Sequence, residues 1–233
     1  SVKGPQLDLA TPASSANNNS GVMFDVVASK SVTITGFTAS PISNGTDFEV
    51  YYRVGSFVGH ETSSAGWILL DSSSSISAGT SVNIGVNLSR PIIAGQTLGF
   101  YITSTTTGNF IYYDNGTAVG NSLASDSYLT IEEGVGKGYP FGSTNTTRNF
   151  VGSILYEPKV TGLSWNISSD TLSSTSFTAT RSTAVTATGF IGSSQINGHD
   201  ILEVTDMDVN VQANPASIQS GQSSTLSSTV TET

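Results

Sequence analysis

There is no cysteine among the 233 residues, which removes disulfides, thiolate metal sites and cysteine nucleophiles together. The chain thereby differs from small secreted animal domains, which rely on disulfides in place of a large core. Basic residues are scarce: eight Lys and Arg face 17 Asp and Glu, for a net charge of -9. Such a charge repels a phosphate backbone instead of releasing its counterions, so nucleic acid is excluded as an expected partner. No polybasic segment seeks anionic lipid, and no apolar run approaches the ~20 residues of a membrane helix, so no membrane insertion is expected. Only His60 and His199 offer imidazole bases, and no Gly-x-Ser-x-Gly elbow supplies a nucleophile. The chain therefore reads as a non-enzyme. His60-Glu61, in a Gly/Ser-rich loop, reads as a loop-stabilising pair in preference to a catalytic or metal pair.

What is present is a β-protein. Charged residues make up only 11% of the chain, so solubility rests on Ser, Thr, Asn and Gly, a composition common in exported β-proteins. A secreted or cell-surface location is expected from it. With 36% hydrophobic and 9% aromatic residues the chain can fill a core. Apolar and polar residues alternate through Val22, Phe24 and Val26, through Val32 and Ile34, and through Phe48, Val50, Tyr52 and Val54. A strand converts that two-residue period into one buried face. Asp47, Glu49, Tyr51 and Arg53 then fall on the opposite, wet face. Further strands are expected at 67–70, 82–88, 98–103, 109–113, 128–132 and 149–156, with Asn44-Gly45 and Asn115-Gly116 marking tight turns. No window sustains a helical apolar stripe.

Glu157-Pro158-Lys159 interrupts the pattern, because Pro cannot donate to a ladder. A domain boundary is placed there, with later strands at 162–167, 176–180, 185–191 and 201–211. The expected fold class is all-β: an antiparallel β-sandwich, jelly-roll or immunoglobulin-like, followed by a smaller β-sandwich domain. The expected organisation is an extended N-terminal segment (1–20), the sandwich module (21–157), the smaller β-domain (158–211), and either the start of a further immunoglobulin-like repeat or closing strands (212–233). Ser1-Val2-Lys3-Gly4-Pro5 lacks the apolar region of a signal peptide, and residues 209–231 resemble the opening strands of a bacterial immunoglobulin-like repeat. A processed or excised piece of a longer polypeptide is expected.

Candidate sites rest on carboxylates and tyrosines. Asp114 and Asp126, with Glu132 and Glu133, either converge from neighbouring loops as hard oxygen ligands for calcium or are solvated surface acids. Glu132 and Glu133 are adjacent, so on a strand they point to opposite faces and do not form a glycosidase pair. Asp200, Glu203, Asp206 and Asp208 form a second acidic cluster, with Asp206 and Asp208 on one face of a strand. Calcium there would neutralise carboxylates between tandem β-domains. Tyr51, with Tyr113 or Tyr112 and with Tyr101, either forms a platform on which a sugar ring stacks or packs against a sheet edge or loop. Trp67 and Trp165 read as core anchors. Gly134-Val135-Gly136-Lys137-Gly138 lacks the Lys-Ser/Thr step of a phosphate loop and reads as a glycine-rich strand connection.

Four stretches carry a family resemblance: 21–26, 48–61 leading to Trp67, 95–102, and 112–142. Across about three fifths of the chain they resemble an uncharacterised β-sandwich module of very large secreted or surface proteins of Gram-negative gliding bacteria. These parents include gliding-motility adhesins and other cargo of the type IX secretion system. The resemblance implies a non-enzymatic adhesin segment serving attachment, gliding or a surface filament, with surface polysaccharide or neighbouring protein domains as partners. Two other readings stand beside it. One is a carbohydrate-binding module accompanying a secreted enzyme. The other is a self-assembling fibre subunit whose terminal strands, 6–9 or 225–230, add to a neighbour's sheet edge.

Overall fold

Short apolar runs of period two, closed by Gly, Asn and Ser, produce many of the strands of this chain. The structure, a computed structural model, describes residues 4–12, 14, 17–166, 183–191, 193–202, 208–214 and 225–231, and none of these is helical. The chain divides into two compact units, Lys3–Lys159 and Val160–Thr233, the latter grouped with Ser1–Val2.

The first unit contains β1 (Leu7–Ala10), β2 (Asn17–Asn19), β3 (Gly21–Ala28), β4 (Val32–Ala39), β5 (Thr46–Val54), β6 (Ile68–Ile76), β7 (Val82–Asn83), β8 (Arg90–Ile92), β9 (Thr97–Ser104), β10 (Ile111–Asn115), β11 (Ser122–Ser125), β12 (Leu129–Glu132), β13 (Gly134–Lys137), β14 (Thr144–Phe150) and β15 (Ser153–Pro158). They form two sheets. The smaller runs β1-β15-β4-β7, with β8 also on β4; the larger runs β2-β10-β14-β13-β3-β9-β5-β6, with β12 on β3 and β11 on β12. All pairings between these strands are antiparallel. The sheets are open and face each other across one apolar core, an antiparallel β-sandwich.

Both inner faces feed that core. Ile34, Phe37, Ile154 and Tyr156 come from the smaller sheet, and Val22, Phe24, Phe100 and Ile102 from the larger. Phe24 stacks on Phe150 with centroids 4.5 Å apart, while the Phe37 ring meets Phe100 edge-on at 5.2 Å across the sandwich. Burial of each such ring is worth about 1.5–3 kcal/mol.

Several expectations change in detail. Within the segment expected at 1–20, β1 pairs with β15 and β2 with β10, so each of these two strands extends one sheet. The strand expected at 149–156 is two strands, because the chain leaves the large sheet at Phe150 and enters the small one at Ser153. Gly152 makes that crossing possible, since a Cβ there would lie 2.1 Å from the Thr38 carbonyl oxygen. Of the strand expected at 82–88 only β7 is regular strand; Gly85, at φ 75°, turns the chain away from extended geometry, although the Ile84 and Leu88 amides still donate to the Phe37 and Thr35 carbonyls of β4.

In the second unit, β16 (Thr161–Trp165), β17 (Thr183–Ile191) and β18 (Ser194–Leu202) form a three-stranded antiparallel sheet, and β19 (Asp208–Asn214) pairs with β20 (Thr225–Thr231). β17 and β18 pair continuously from Thr183↔Leu202 to Ile191↔Ser194. The sequence SQINGHD at the start of β18 has too few apolar residues to show a two-residue period, which is why the strand was expected only from 201 onward. The strand expected at 176–180 lies outside the described residues.

Candidate functional site

The face of the larger sheet that points away from the core is the richest in chemistry. On β5 it displays Asp47, Glu49, Tyr51 and Arg53, the face expected to be wet. Instead, Tyr51 packs with Phe141 against a second buried cluster of Met23, Phe57, Trp67, Tyr101 and Val135. Two loops lie over the sheet here, one between β5 and β6 and one between β13 and β14. Alternation along one strand cannot report a cover supplied from elsewhere in the chain.

Cross-strand register sorts this face into rows. The middle row is Val135↔Met23↔Tyr101↔Tyr51. Tyr101 is its centre, fully buried, with ring centroids of Phe141 at 5.0 Å, Tyr51 at 5.9 Å and Trp67 at 6.3 Å. Its hydroxyl donates toward the Gly138 carbonyl (3.2 Å) and Thr103 Oγ1 (3.1 Å), and burial pushes its pKa up to about 12. The Tyr51 hydroxyl donates to Glu49 Oε2 at 2.7 Å, and burial, with that carboxylate, pushes its pKa well up. The Tyr139 pKa is raised by burial and then by the charge of the same carboxylate. Tyr139 keeps 40% of its surface exposed.

Lys137 fixes the second loop. Its ammonium is fully buried and donates to the Gly142 carbonyl (2.6 Å) and Thr144 Oγ1 (2.7 Å); loss of water pulls its pKa down. The loop closes through Gly138 N–H to Ser143 O (2.9 Å) and Gly142 N–H to Gly138 O (2.8 Å), and contains a cis Tyr139-Pro140 bond. Asp25 anchors the first loop by accepting the Phe57 N–H at 2.8 Å. The His60 carbonyl accepts Trp67 Nε1–H at 2.9 Å, while the His60 side chain is exposed. The His60-Glu61 segment thus takes part in the packing of its own loop through its backbone.

A charged row, Asp25↔Gly99↔Arg53, lies on one side of the aromatic row. Gly99 is needed there: a Cβ would lie 2.9 Å from the Phe57 amide nitrogen and 3.2 Å from Asp25 Oδ1. Burial holds Asp25 above the usual carboxylate range, against the opposing hydrogen bonds of Ser56 and Phe57 and the charge of Arg53. Glu132 is raised too, by burial and then by Asp25. On the other side, Lys137↔Gly21↔Thr103↔Glu49↔Ser72 leads to a cleft of about 290 Å³ lined by Asp47, Glu49, Ser72, Ser74 and Thr105, with Phe48 and Ser73 completing it.

The tyrosine platform expected from sequence needs correction. Tyr51 is half-buried on the outer face, but Tyr101 is fully buried beneath the cluster and Tyr113 is only 2% exposed. Tyr113 pairs with Phe150, with the Arg148 guanidinium 5.6 Å above its ring and Asn145 Nδ2 donating to its hydroxyl at 3.3 Å. Neither Tyr101 nor Tyr113 offers a ring face to a ligand. The large aromatic sits where loops and strands bury it, as burial of 150–250 Å² per ring favours.

The first acidic group is likewise dispersed. Asp114 accepts Ser14 N–H (2.7 Å) and Oγ–H (2.8 Å). Asp126 accepts the amides of Tyr128 (2.7 Å) and Leu129 (2.9 Å) and the Tyr156 hydroxyl. Glu133 accepts Thr117 N–H (2.6 Å), Thr117 Oγ–H (3.0 Å) and Ala118 N–H (2.8 Å). Burial pushes its pKa up, but those bonds outweigh it and leave it below the usual value. Each of these acids is engaged by a different segment, and among the described residues no three His, Asp or Glu side chains lie close enough to share an ion. Of the second group, Glu203 and Asp206 lie outside the described residues; Asp200 is on β18 opposite Val185 and Asp208 on β19 opposite Thr231.

Sequence reasoning missed Tyr139, Phe141 and Lys137 as parts of this face. A lone Lys in the Gly-Val-Gly-Lys run of an interior strand was the available signal. Fold and site define an antiparallel β-sandwich with an aromatic outer cluster flanked by ionisable groups. No protein-family model matches the chain, and no curated protein is significantly similar to it.

Proposed function

We propose that the chain is a non-enzymatic segment of a large secreted or cell-surface bacterial adhesin of the gliding type, in which the sandwich presents a preset surface for attachment. The observation that carries this reading is how the buried ionisable groups of the sandwich are used. Asp25, Asp114, Glu133 and Lys137 each bond backbone or hydroxyl groups that set a loop. Charged groups engaged in this way stiffen loops, and loops ordered before contact lose less entropy on binding. Composition and the family resemblance support an extracellular setting. The fibre-subunit reading would have a neighbour's strand add to the outer edge of β1 or β20, each of which pairs on its other side with β15 or β19.

Antibody raised against the chain is expected to label intact, unpermeabilised cells of the source bacterium. Deletion of the coding segment is expected to weaken cell attachment, and the purified chain to be inactive on broad hydrolase and transferase panels. Turnover that disappears in His60→Ala, or labelling confined to permeabilised cells, would overturn the reading.

A further inference from the structure

Asn is followed by Gly at 44–45, 115–116 and 197–198, and the fold treats these pairs differently. We infer that Asn44 is a self-modifying site: in the folded chain it loses its side-chain amide and becomes aspartate and isoaspartate, while Asn115 and Asn197 are protected. This goes beyond the attachment reading and does not depend on it, since water is the one co-reactant.

The step joins a main-chain nitrogen to the amide carbon of the preceding side chain. The Gly45 nitrogen attacks Asn44 Cγ, the new C–N bond closes a succinimide ring, and the Gly45 proton departs with the side-chain nitrogen as ammonia. Water then opens the ring at either carbonyl. One opening gives aspartate. The other gives isoaspartate, whose main chain runs through the former side chain and is one carbon longer.

The surroundings of Asn44 favour that attack. Asn44 and Gly45 are both exposed, so water enters and ammonia escapes. Among the described residues no group accepts the Gly45 N–H. Gly45 stands at φ 71° outside any strand, and a Cβ there would meet nothing within 4 Å, so its peptide is free to turn toward Cγ. Asn44 Oδ1 accepts the Ala78 N–H at 2.8 Å. That donor draws charge from Cγ and stabilises the oxyanion that forms as nitrogen adds, as backbone amides do in acyl transfer.

The other two pairs lack a free nitrogen. Asn115 Oδ1 also accepts a hydrogen bond, from Asn17 Nδ2 at 2.7 Å, so the difference lies in the glycine. The Gly116 N–H donates to the Thr147 carbonyl at 3.0 Å. Space is short as well, since a Cβ on Gly116 would lie 2.6 Å from Thr147 Cγ2 and 2.8 Å from Asn149 Oδ1. Asn197 and Gly198 lie within the continuous β17–β18 ladder, opposite Thr188 and Ala187, which holds the backbone extended and away from ring closure.

The test is to incubate the purified full chain in mildly alkaline buffer, with and without urea, and to follow each Asn-Gly peptide by mass spectrometry. In the folded chain the Asn44 peptide is expected to gain the mass of an amide-to-acid change and to split into two chromatographic forms, with ammonia released in step. The hydrogen bond that holds the Gly116 amide is expected to make Asn115 about tenfold slower than Asn44, and Asn197 is expected to lag behind Asn44 too. In urea the three sites are expected to converge, because the fold sets their order. Similar rates at the three sites in the folded chain would overturn the assignment. So would an Asn44 that stays intact in the folded chain while the chain in urea converts.

Discussion

Asp25 and Glu133 show how position decides what a carboxyl does for stability. Both are buried, at 4% and 7% exposure, yet their pKa values move in opposite directions. Glu133 gathers three donors from one turn, and its folded pKa falls below the ordinary 4.5. Its contribution is fully present above that value and is lost as pH falls through the folded pKa. Glu133→Gln is expected to cost about 1–3 kcal/mol at neutral pH, with the gap from the parent narrowing below pH 4.5 in urea melts. A constant gap across pH would contradict the assignment. Asp25 has too few donors to offset burial, and its pKa stands above the ordinary 3.8. Between 3.8 and its higher folded pKa, Asp25 in the folded state holds a proton that the unfolded chain has released, so this group's effect on stability worsens as pH rises through that window. Asp25→Asn keeps an oxygen for the Phe57 amide and removes the charge. It is expected to match or exceed parent stability at neutral pH and to lose that advantage below pH 3.8; a clear destabilisation at pH 7 would show that the charge is needed.

At the scale of elements, the two sheets are linked by a chain crossing that one residue controls. β14 passes into β15 through Gly152, whose carbonyl accepts the Thr11 amide at 2.9 Å and whose amide donates to Thr11 Oγ1 at 3.1 Å. Gly152→Ala forces a Cβ against the Thr38 carbonyl, and a loss of at least about 1–3 kcal/mol is expected from such overpacking. Parent-like denaturation would mean that the crossing tolerates a side chain. The loop over the outer face depends on Lys137 in a different way, through hydrogen bonds from a buried ammonium. Lys137→Met keeps much of the volume and removes the donors. Faster hydrogen exchange at Gly138 and Gly142 is expected, with β3 and β9 amides unchanged; unchanged loop amides would show that the ammonium is not the tie.

For the whole molecule, the core of the first unit is drawn from strands between Leu7 and Pro158, and the unit ends at Lys159. A fragment comprising 4–159 is expected to fold by itself, with an all-β circular dichroism spectrum and one cooperative melt. A fragment that stays unfolded would mean that the sandwich needs the rest of the chain. Removing residues 4–12 takes away β1, an edge of the smaller sheet that contributes the buried Leu9, and a lower melting temperature is expected.

Composition and two-residue periodicity were enough to read an all-β sandwich, because each strand's buried face is written locally in residues such as Phe48, Val50 and Tyr52. The same local rule placed Tyr51 on the outer face, and β5 does put it there. What lay beyond it was the cover on that face. Whether Tyr51 is wet or packed depends on Phe141, some ninety residues away, and on a loop held by the buried Lys137. The crossing at Gly152 also escaped notice, since an apolar run reads alike in one strand or in two when both halves face the same core. The carboxylates were visible as charges, but their partners are backbone amides brought near by folding. Sequence determined which residues seek burial and with what period; tertiary structure alone decided which surfaces became covered, because coverage depends on contacts between residues far apart in the chain.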